Sequence, residues 1–380
     1  MIRPLGLAGV ACVAVAGPDD PARFSRFTRA VVERTNAWDE QDAQVELLMG
    51  FGRAQPVPPI LFYAGDPELL IVSRHRERLA GAFRFVVADA ELVDSLVDKW
   101  SFQELAAQLG LPVPACRRAR PGEDACSSLG VRYPLIVKPL TRHNEIWCPV
   151  AGLAKAVQVH GPAELETLWG ALARCGLEVV VQELVPGPES AIESYHAYVD
   201  ARGDIAGEFT GRKIRTLPCE FGHSTALETT DAADVAAVGR DVLRRLNLRG
   251  LAKVDFKRAP SGELYLLEVN PRSTLWHHVG ARAGVNLPAL VYADLAGLPR
   301  PPTGPARAGV RWSLPWQDLT AARRSGMSRL AWLAWTRRCE VKSAMAWDDP
   351  MPFLRGRLWP KLARRLGGRR RSDIGGDPLA

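Results

Sequence analysis

Residues 250–278 constrain this chain more than any other stretch. Leu251-Ala252-Lys253-Val254-Asp255-Phe256-Lys257 and Leu264-Tyr265-Leu266-Leu267-Glu268-Val269-Asn270 alternate polar and apolar side chains, with Pro260-Ser261-Gly262-Glu263 between them. That pattern predicts a β-hairpin. With the turn centred on Ser261-Gly262, Pro260 faces Glu263, and counting outward sets Asp255 opposite Glu268 and Lys253 opposite Asn270. Side chains two apart share a face, so Asp255, Glu268 and Asn270 converge, with Lys253 beside them and Arg272 just past the strand end. Like charges facing each other destabilise a ladder, so the carboxylates need a compensating partner. A hard divalent cation, which takes oxygen ligands and bridges phosphates, would serve. The plainer alternative is a solvated face of loosely paired acids and lysines.

At 380 residues the chain is long enough for two or three domains. Its net charge of +7 is uneven. Arg355, Arg357, Lys361, Arg364, Arg365, Arg369, Arg370 and Arg371 crowd one end without an acid among them, so the basicity belongs to the tail and not to a nucleic-acid-binding core. The 7 cysteines are odd in number and lack CxxC spacing, which suits reduced thiols in a cytosolic protein. No apolar run approaches the roughly 20 residues of a membrane span. Arg3, Leu5 to Val15 and Ala14-Val15-Ala16 have the outline of a secretory signal; the competing expectation is a helix end followed by a buried strand over 10–15.

In chain order, residues 1–95 read as a small α/β domain with a parallel sheet: strand-like runs at 10–15, 60–63 and 85–87, and helical patterns at 42–51 and 67–75. A doubly wound unit normally opens with a strand and a glycine-rich turn, and neither precedes the first helical stretch here. Lys99 leads a helix over 102–109. Tyr133 to Pro139 is an apolar strand ending on Lys138, and a lysine there needs an anion or solvent. Val179 to Glu189 is a strand broken at Pro186-Gly187-Pro188. Its free backbone groups could read an adenine edge, and Glu189 could accept ribose hydroxyls, or it is an ordinary turn with a solvated acid. A hairpin over 190–213 carries Arg212, Lys213 and Arg215 to a loop at 216–227, and a helix follows over 231–246. His223 in that loop is a candidate for substrate contact; the adjacent His277 and His278 diverge on most backbones, which argues against zinc.

Lys99, the Ile-Val-Lys138-Pro strand, Gln182-Glu183-Leu184-Val185-Pro-Gly-Pro-Glu189, and Val-Asp255 followed thirteen residues later by Glu268-Val-Asn270-Pro-Arg272 together resemble the ATP-grasp superfamily. The likeness is to its carboxylate–amine ligases, with echoes of D-alanine–D-alanine ligase, biotin carboxylase and carbamoyl-phosphate synthase, and covers about residues 1–300. It implies an α/β fold of α+β ATP-grasp type. A Rossmann-like N-terminal domain (1–95) would precede a small lobe (96–178), a large lobe with the metal site (179–300) and a helical, basic Trp/Arg-rich extension (301–380, disordered from about 367). It further implies that Lys99 and Lys138 hold the phosphates of ATP, the main chain of Gln182, Glu183, Leu184 and Val185 lines adenine, and Glu189 takes ribose. Asp255, Glu268 and Asn270 would bind Mg2+ or Mn2+, while Lys253 or Lys213, with Arg272, neutralises the transferred phosphoryl. Phosphoryl transfer requires positioning and charge neutralisation more than a nucleophilic side chain. The implied activity is ATP-dependent ligation of a carboxylate to an amine or thiol through an acyl phosphate. Thr141 to Trp147 departs from the family's glycine-rich lid, leaving phosphate contact there to Arg142 or His143.

The resulting expectation is a cytoplasmic enzyme acting on small-molecule carboxylate and amine, with its oligomeric state open, a dimer included. Residues 353–362 mix aromatic, aliphatic and basic side chains, which suits weak peripheral contact with the inner face of an anionic membrane, or else a packing arm. The rival classes are a catalytically silent nucleotide-binding protein and a nucleic-acid binder using the arginine tail. No stacking platform of aromatics supports the latter, so no nucleic acid is expected.

Overall fold

The computed structural model describes residues 1–35, 40–140, 144–152, 154, 156–219 and 221–362. The lid residues Thr141, Arg142 and His143, and the tail expected to be disordered from about 367, lie outside the described residues.

A short parallel pair, β1 (Cys12–Ala16) and β2 (Thr28–Glu33), stands near the N-terminus. The segment that has the outline of a secretory signal is built into the fold: a helix spans Ile2–Leu7, β1 buries alternate residues, and Asn286 Nδ2 donates to the Pro4 carbonyl. The runs at 60–63 and 85–87 correct the expected strands. They meet only at an isolated parallel bridge, Ile60 to Arg84, because Pro58 and Pro59 remove the donors a longer ladder needs. The parallel pairing instead uses β2, whose Val31-Val32 run was not read as a strand.

The second sheet has four strands: β3 (Cys116–Ala119), β4 (Leu135–Pro139), β5 (Val157–Val159) and β6 (Val179–Glu183), in the order β3-β6-β4-β5. Period-two alternation sets its faces. Leu135, Val137, Val179 and Val181 pack with Trp147, Trp169 and Leu172. Ile136, Lys138, Val180 and Gln182 take the opposite face, which lines a cleft.

The main sheet has seven strands: β7 (Ile192–Val199), β8 (Ile205–Leu217), β9 (His223–Thr230), β10 (Gly250–Arg258), β11 (Leu264–Asn270), β12 (Arg311–Ser313) and β13 (Val341–Lys342). Their order is β11-β10-β7-β8-β9-β12-β13. Val254, Phe256, Tyr195 and Ala197 on one face join Val235, Val242 and Leu243 of the helix Ala233–Arg245 in the largest core. On the other face Leu251, Tyr198 and Phe209 pack beneath Trp276, Val279, Leu287 and Leu290. Lys253, Asp255 and Lys257 continue the row that Leu251 begins, so one strand runs from core to cleft.

Two further corrections concern this sheet. The strand that holds Lys213 continues through Arg215, and most of the predicted loop at 216–227 is the end of β8 and the start of β9. The C-terminal extension is helical, as expected, yet it also supplies β12 and β13 and buries Trp312.

Candidate active site

A cleft of about 1760 Å³ opens between the four-stranded and seven-stranded sheets. Lys99, Lys138, Gln182 to Glu189, Lys213, Asp255, Glu268 and Asn270 all line it. Lys253 and Arg272 stand one contact behind, against Asp255 and Asn270.

The hairpin register places Asp255 opposite Glu268 and Lys253 opposite Asn270. The route differs from the simple count. Ala259 N–H donates to Glu263 O at 2.9 Å, so the loop is Pro260-Ser261-Gly262, closed by a 2.9 Å bond from Gly262 N–H to Ala259 O. Gly262 has φ +93°, as a three-residue loop with a left-handed last residue requires. This loop pairs Phe256 with Leu266 and Lys257 with Tyr265, one residue out of step with the simple count. A bulge at Leu267 restores the register. Had Leu267 been paired instead of bulged, Glu268 would stand opposite Val254 and, with Asn270, point to the core face.

Asp255 is only 1% exposed and accepts from three donors. Lys253 Nζ lies 2.5 Å and Lys213 Nζ 3.1 Å from Oδ2, and Ser194 Oγ donates to Oδ1. Burial opposes the charge on Asp255, but Lys213 and Lys253 outweigh it and hold the carboxyl well below the usual range. Burial would lower the Lys213 ammonium as well; Asp255 and Glu268 reverse that and raise it. The Glu268 side chain is 56% exposed and lies 3.7 Å from Lys253 Nζ. Asn270 Nδ2 donates to Glu268 Oε1 at 3.1 Å, and Asn270 Oδ1 accepts from Arg272 Nη2 at 3.0 Å. Arg272 is anchored in turn by Asp66 Oδ1 at 2.5 Å and the Ala64 carbonyl at 3.2 Å. Hard oxygens on one face of paired strands fit a magnesium-like cation. Glu268 offers its carboxylate to the cleft, whereas Asp255 would have to exchange a lysine for the cation and Asn270 would have to share its oxygen with Arg272.

Across the cleft, Lys138 Nζ donates to Gln182 Oε1 at 2.7 Å. Burial pushes this ammonium down to about 8, against the pull of Glu268. Lys99 is the first residue of the helix Lys99–Gln108, capped by Asp98, and its Nζ donates to the carbonyls of Pro139 at 2.9 Å and Leu140 at 3.1 Å. The two lysines thus bracket the end of β4. Beyond β6 the chain bends at Gly187, φ +118°. Glu189 accepts from Thr216 Oγ1 and opens a short 3-10 turn. The Glu183 side chain turns away to Arg132, 3.0 Å, leaving its main chain to face the cleft.

Several contributors were not singled out from sequence. Ser194 is one. Lys257 is another: its Nζ donates to the Gly187 and Pro188 carbonyls at 2.7 Å each, fastening the bend to β10. The alternation of Lys253, Asp255 and Lys257 was the available signal. Asp66, 206 residues from Arg272, had none. His223 lies against Gln317 of the extension. His277 is buried with its pKa lowered to about 3 by burial, and no group of three or more His, Cys, Asp or Glu suited to a metal occurs among the described residues. All seven cysteines are free.

Two sheets close on a cleft, with Lys99 and Lys138 on one wall and Lys213, Asp255 and Glu268 on the other; the fold is the ATP-grasp fold of its solved neighbours, and the chain is similar in sequence to carboxylate–amine ligases. The chain is 23% identical over 289 residues to D-aspartate ligase of Enterococcus faecium, covering 72% of this chain and 68% of that one. It is 27% identical over 213 residues to D-alanine–D-alanine ligase of Halorhodospira halophila, covering 51% and 64%. The matched region thus spans about two thirds of each relative's length. Among solved structures, biotin carboxylase of Campylobacter jejuni in complex with a nucleotide superposes with a TM-score of 0.61 at 14% identity, over 82% of this chain and 71% of that one. No family model matches the chain.

Proposed function

We propose that the protein joins a small-molecule carboxylate to an amine at the expense of ATP, through an acyl phosphate. The observation that carries this reading is the pairing of Asp255 with Glu268, and of Lys253 with Asn270, on the wall that faces Lys138. In the first step a substrate carboxylate oxygen bonds to the γ-phosphorus as the β–γ bridging bond breaks and ADP leaves. In the second, the amine attacks the acyl carbon, the C–O bond to phosphate breaks, and the amine proton passes to phosphate or solvent. Lys138 and Lys99 supply positive charge to the phosphates from the small sheet. Lys213, Lys253 and Arg272 supply it from the large one, and Asn270 orients Arg272. A magnesium ion held by Glu268 and Asn270, with Asp255 behind them, would neutralise β- and γ-phosphate oxygens. The relatives' names make amino acids the first candidates for both substrates.

The test is ADP release screened over pairs of amino acids and small carboxylates, with Glu268→Gln as the control. Glu268 is preferred to Asp255 because it is exposed; Asp255→Asn would strand Lys213 and Lys253. Turnover with some pair, lost in Glu268→Gln and in Lys138→Ala while both stay folded, is the expected result. Tight ADP binding without release on any pair would favour a silent nucleotide-binding protein instead.

A further inference from the structure

The described chain ends in a helical run, Met351 to Leu362, whose two sides differ. One side is held. Pro352 and Gly356 are buried, a Cβ at Gly356 would fall 2.6 Å from Pro21, and Phe353 stacks on Trp316 with ring centroids 4.7 Å apart. The other side has no cover among the described residues. Met351, Leu354, Leu358 and Leu362 are each at least 39% exposed and Trp359 is 69% exposed, while Trp347 just before the run is fully exposed. Isolated surface apolar residues are ordinary, but this many on one short helical run is not. Arg355, Arg357 and Lys361 lie exposed among them, and none has an ion pair among the described residues. The nearest acids are engaged elsewhere: Asp348 by Arg3, and Asp349 by Ser25 and the Arg26 main chain. The sequence from Met351 to Ser372 contains no Asp or Glu.

We propose that this face binds an anionic lipid surface, with the leucines and Trp359 entering the headgroup boundary and the cations meeting the lipid phosphates. The combination selects among partners. A nucleic acid would use the cations and leave four large aliphatic side chains and a tryptophan uncovered. A second copy packed on a two-fold axis would set the same cations against one another. An anionic bilayer satisfies both halves of the face together.

The experiment is flotation of the full chain with vesicles of phosphatidylcholine, with and without phosphatidylglycerol. Binding is expected only to the mixed vesicles. Each cation near an anionic surface contributes about a fivefold factor, so Arg355→Gln/Arg357→Gln/Lys361→Gln should weaken binding roughly 100-fold. Leu358→Ser/Trp359→Ser should weaken it at least about tenfold, with thermal melting and ADP release in solution unchanged because neither residue lines the cleft. Equal binding to neutral vesicles, no flotation, or unaltered binding by both variants would overturn the proposal. So would a concentration-dependent dimer dispersed by Leu358→Ser/Trp359→Ser, or RNA binding that only the glutamine variant loses.

Discussion

Asp255 carries two loads at the scale of single residues. It faces the candidate cation site, and it holds two buried ammonium groups. Removing one partner of a buried ion pair costs about 3–5 kcal/mol, because the partner's charge stays behind. Asp255→Asn should therefore lower the unfolding free energy measured in urea by an amount of that order, while Glu268→Gln shifts it little and affects only activity. Lys138 makes a pH prediction. Its pKa of about 8 means the free cleft loses this charge as pH rises through that value, so nucleotide affinity should fall above pH about 8 in the parent and stay level in Lys138→Arg, measured by ADP titration. His196 gives the opposite sign on stability. It is buried between Phe209 and Trp276, both ring nitrogens lack partners, and burial, with Lys253 and His277, holds its pKa far below 6.5. Below pH about 6.5 the unfolded chain takes up a proton that the folded imidazole refuses, so stability falls with acidification by up to about 1.4 kcal/mol per pH unit. His196→Phe should reduce the acid-side slope by that amount, leaving the contribution of His277, whose pKa burial also lowers.

Among the elements, the hairpin shows what a sequence reading can and cannot reach. The facing pairs at 255/268 and 253/270 were legible from alternation alone. They are right because two one-residue differences cancel: a loop longer by Pro260, and a bulge at Leu267. Nearer the turn the simple count fails, pairing Lys257 with Leu266 where the sheet pairs it with Tyr265. A leucine in an apolar run carries no mark of being the bulged residue. Deleting Leu267 should therefore regularise the ladder while keeping Glu268 opposite Asp255 and Asn270 opposite Lys253, so that nucleotide binding survives in a protein that still folds, as ADP titration and circular dichroism would report. The join between β8 and the extension was illegible for another reason. Arg215 and Asp318 form a buried bidentate pair across 103 residues, with Thr225 and Trp332 also donating to Asp318, and nothing local signals it. Asp318→Ala should lower stability by about 3–5 kcal/mol in urea denaturation.

For the molecule as a whole, the order of motifs along the chain was enough to expect two lobes around a nucleotide, since Lys138, Asp255 and Glu268 sit where a strand meets the cleft. The N-terminal parallel pairing was misplaced because proline-flanked segments that are apolar enough for strands cannot sustain a ladder. The extension's part in the main sheet went unread because β12 and β13 are too short to give an alternation signal. The central claim is that Glu268 and Asn270, with Asp255, hold a divalent cation that carries the nucleotide against Lys138. Calorimetric titration of ADP with and without magnesium tests it most directly. The account predicts tight binding that requires magnesium and loses that dependence in Glu268→Gln/Asn270→Leu. Equal ADP affinity with and without magnesium in the parent, or an unchanged magnesium dependence in the double variant, would contradict it.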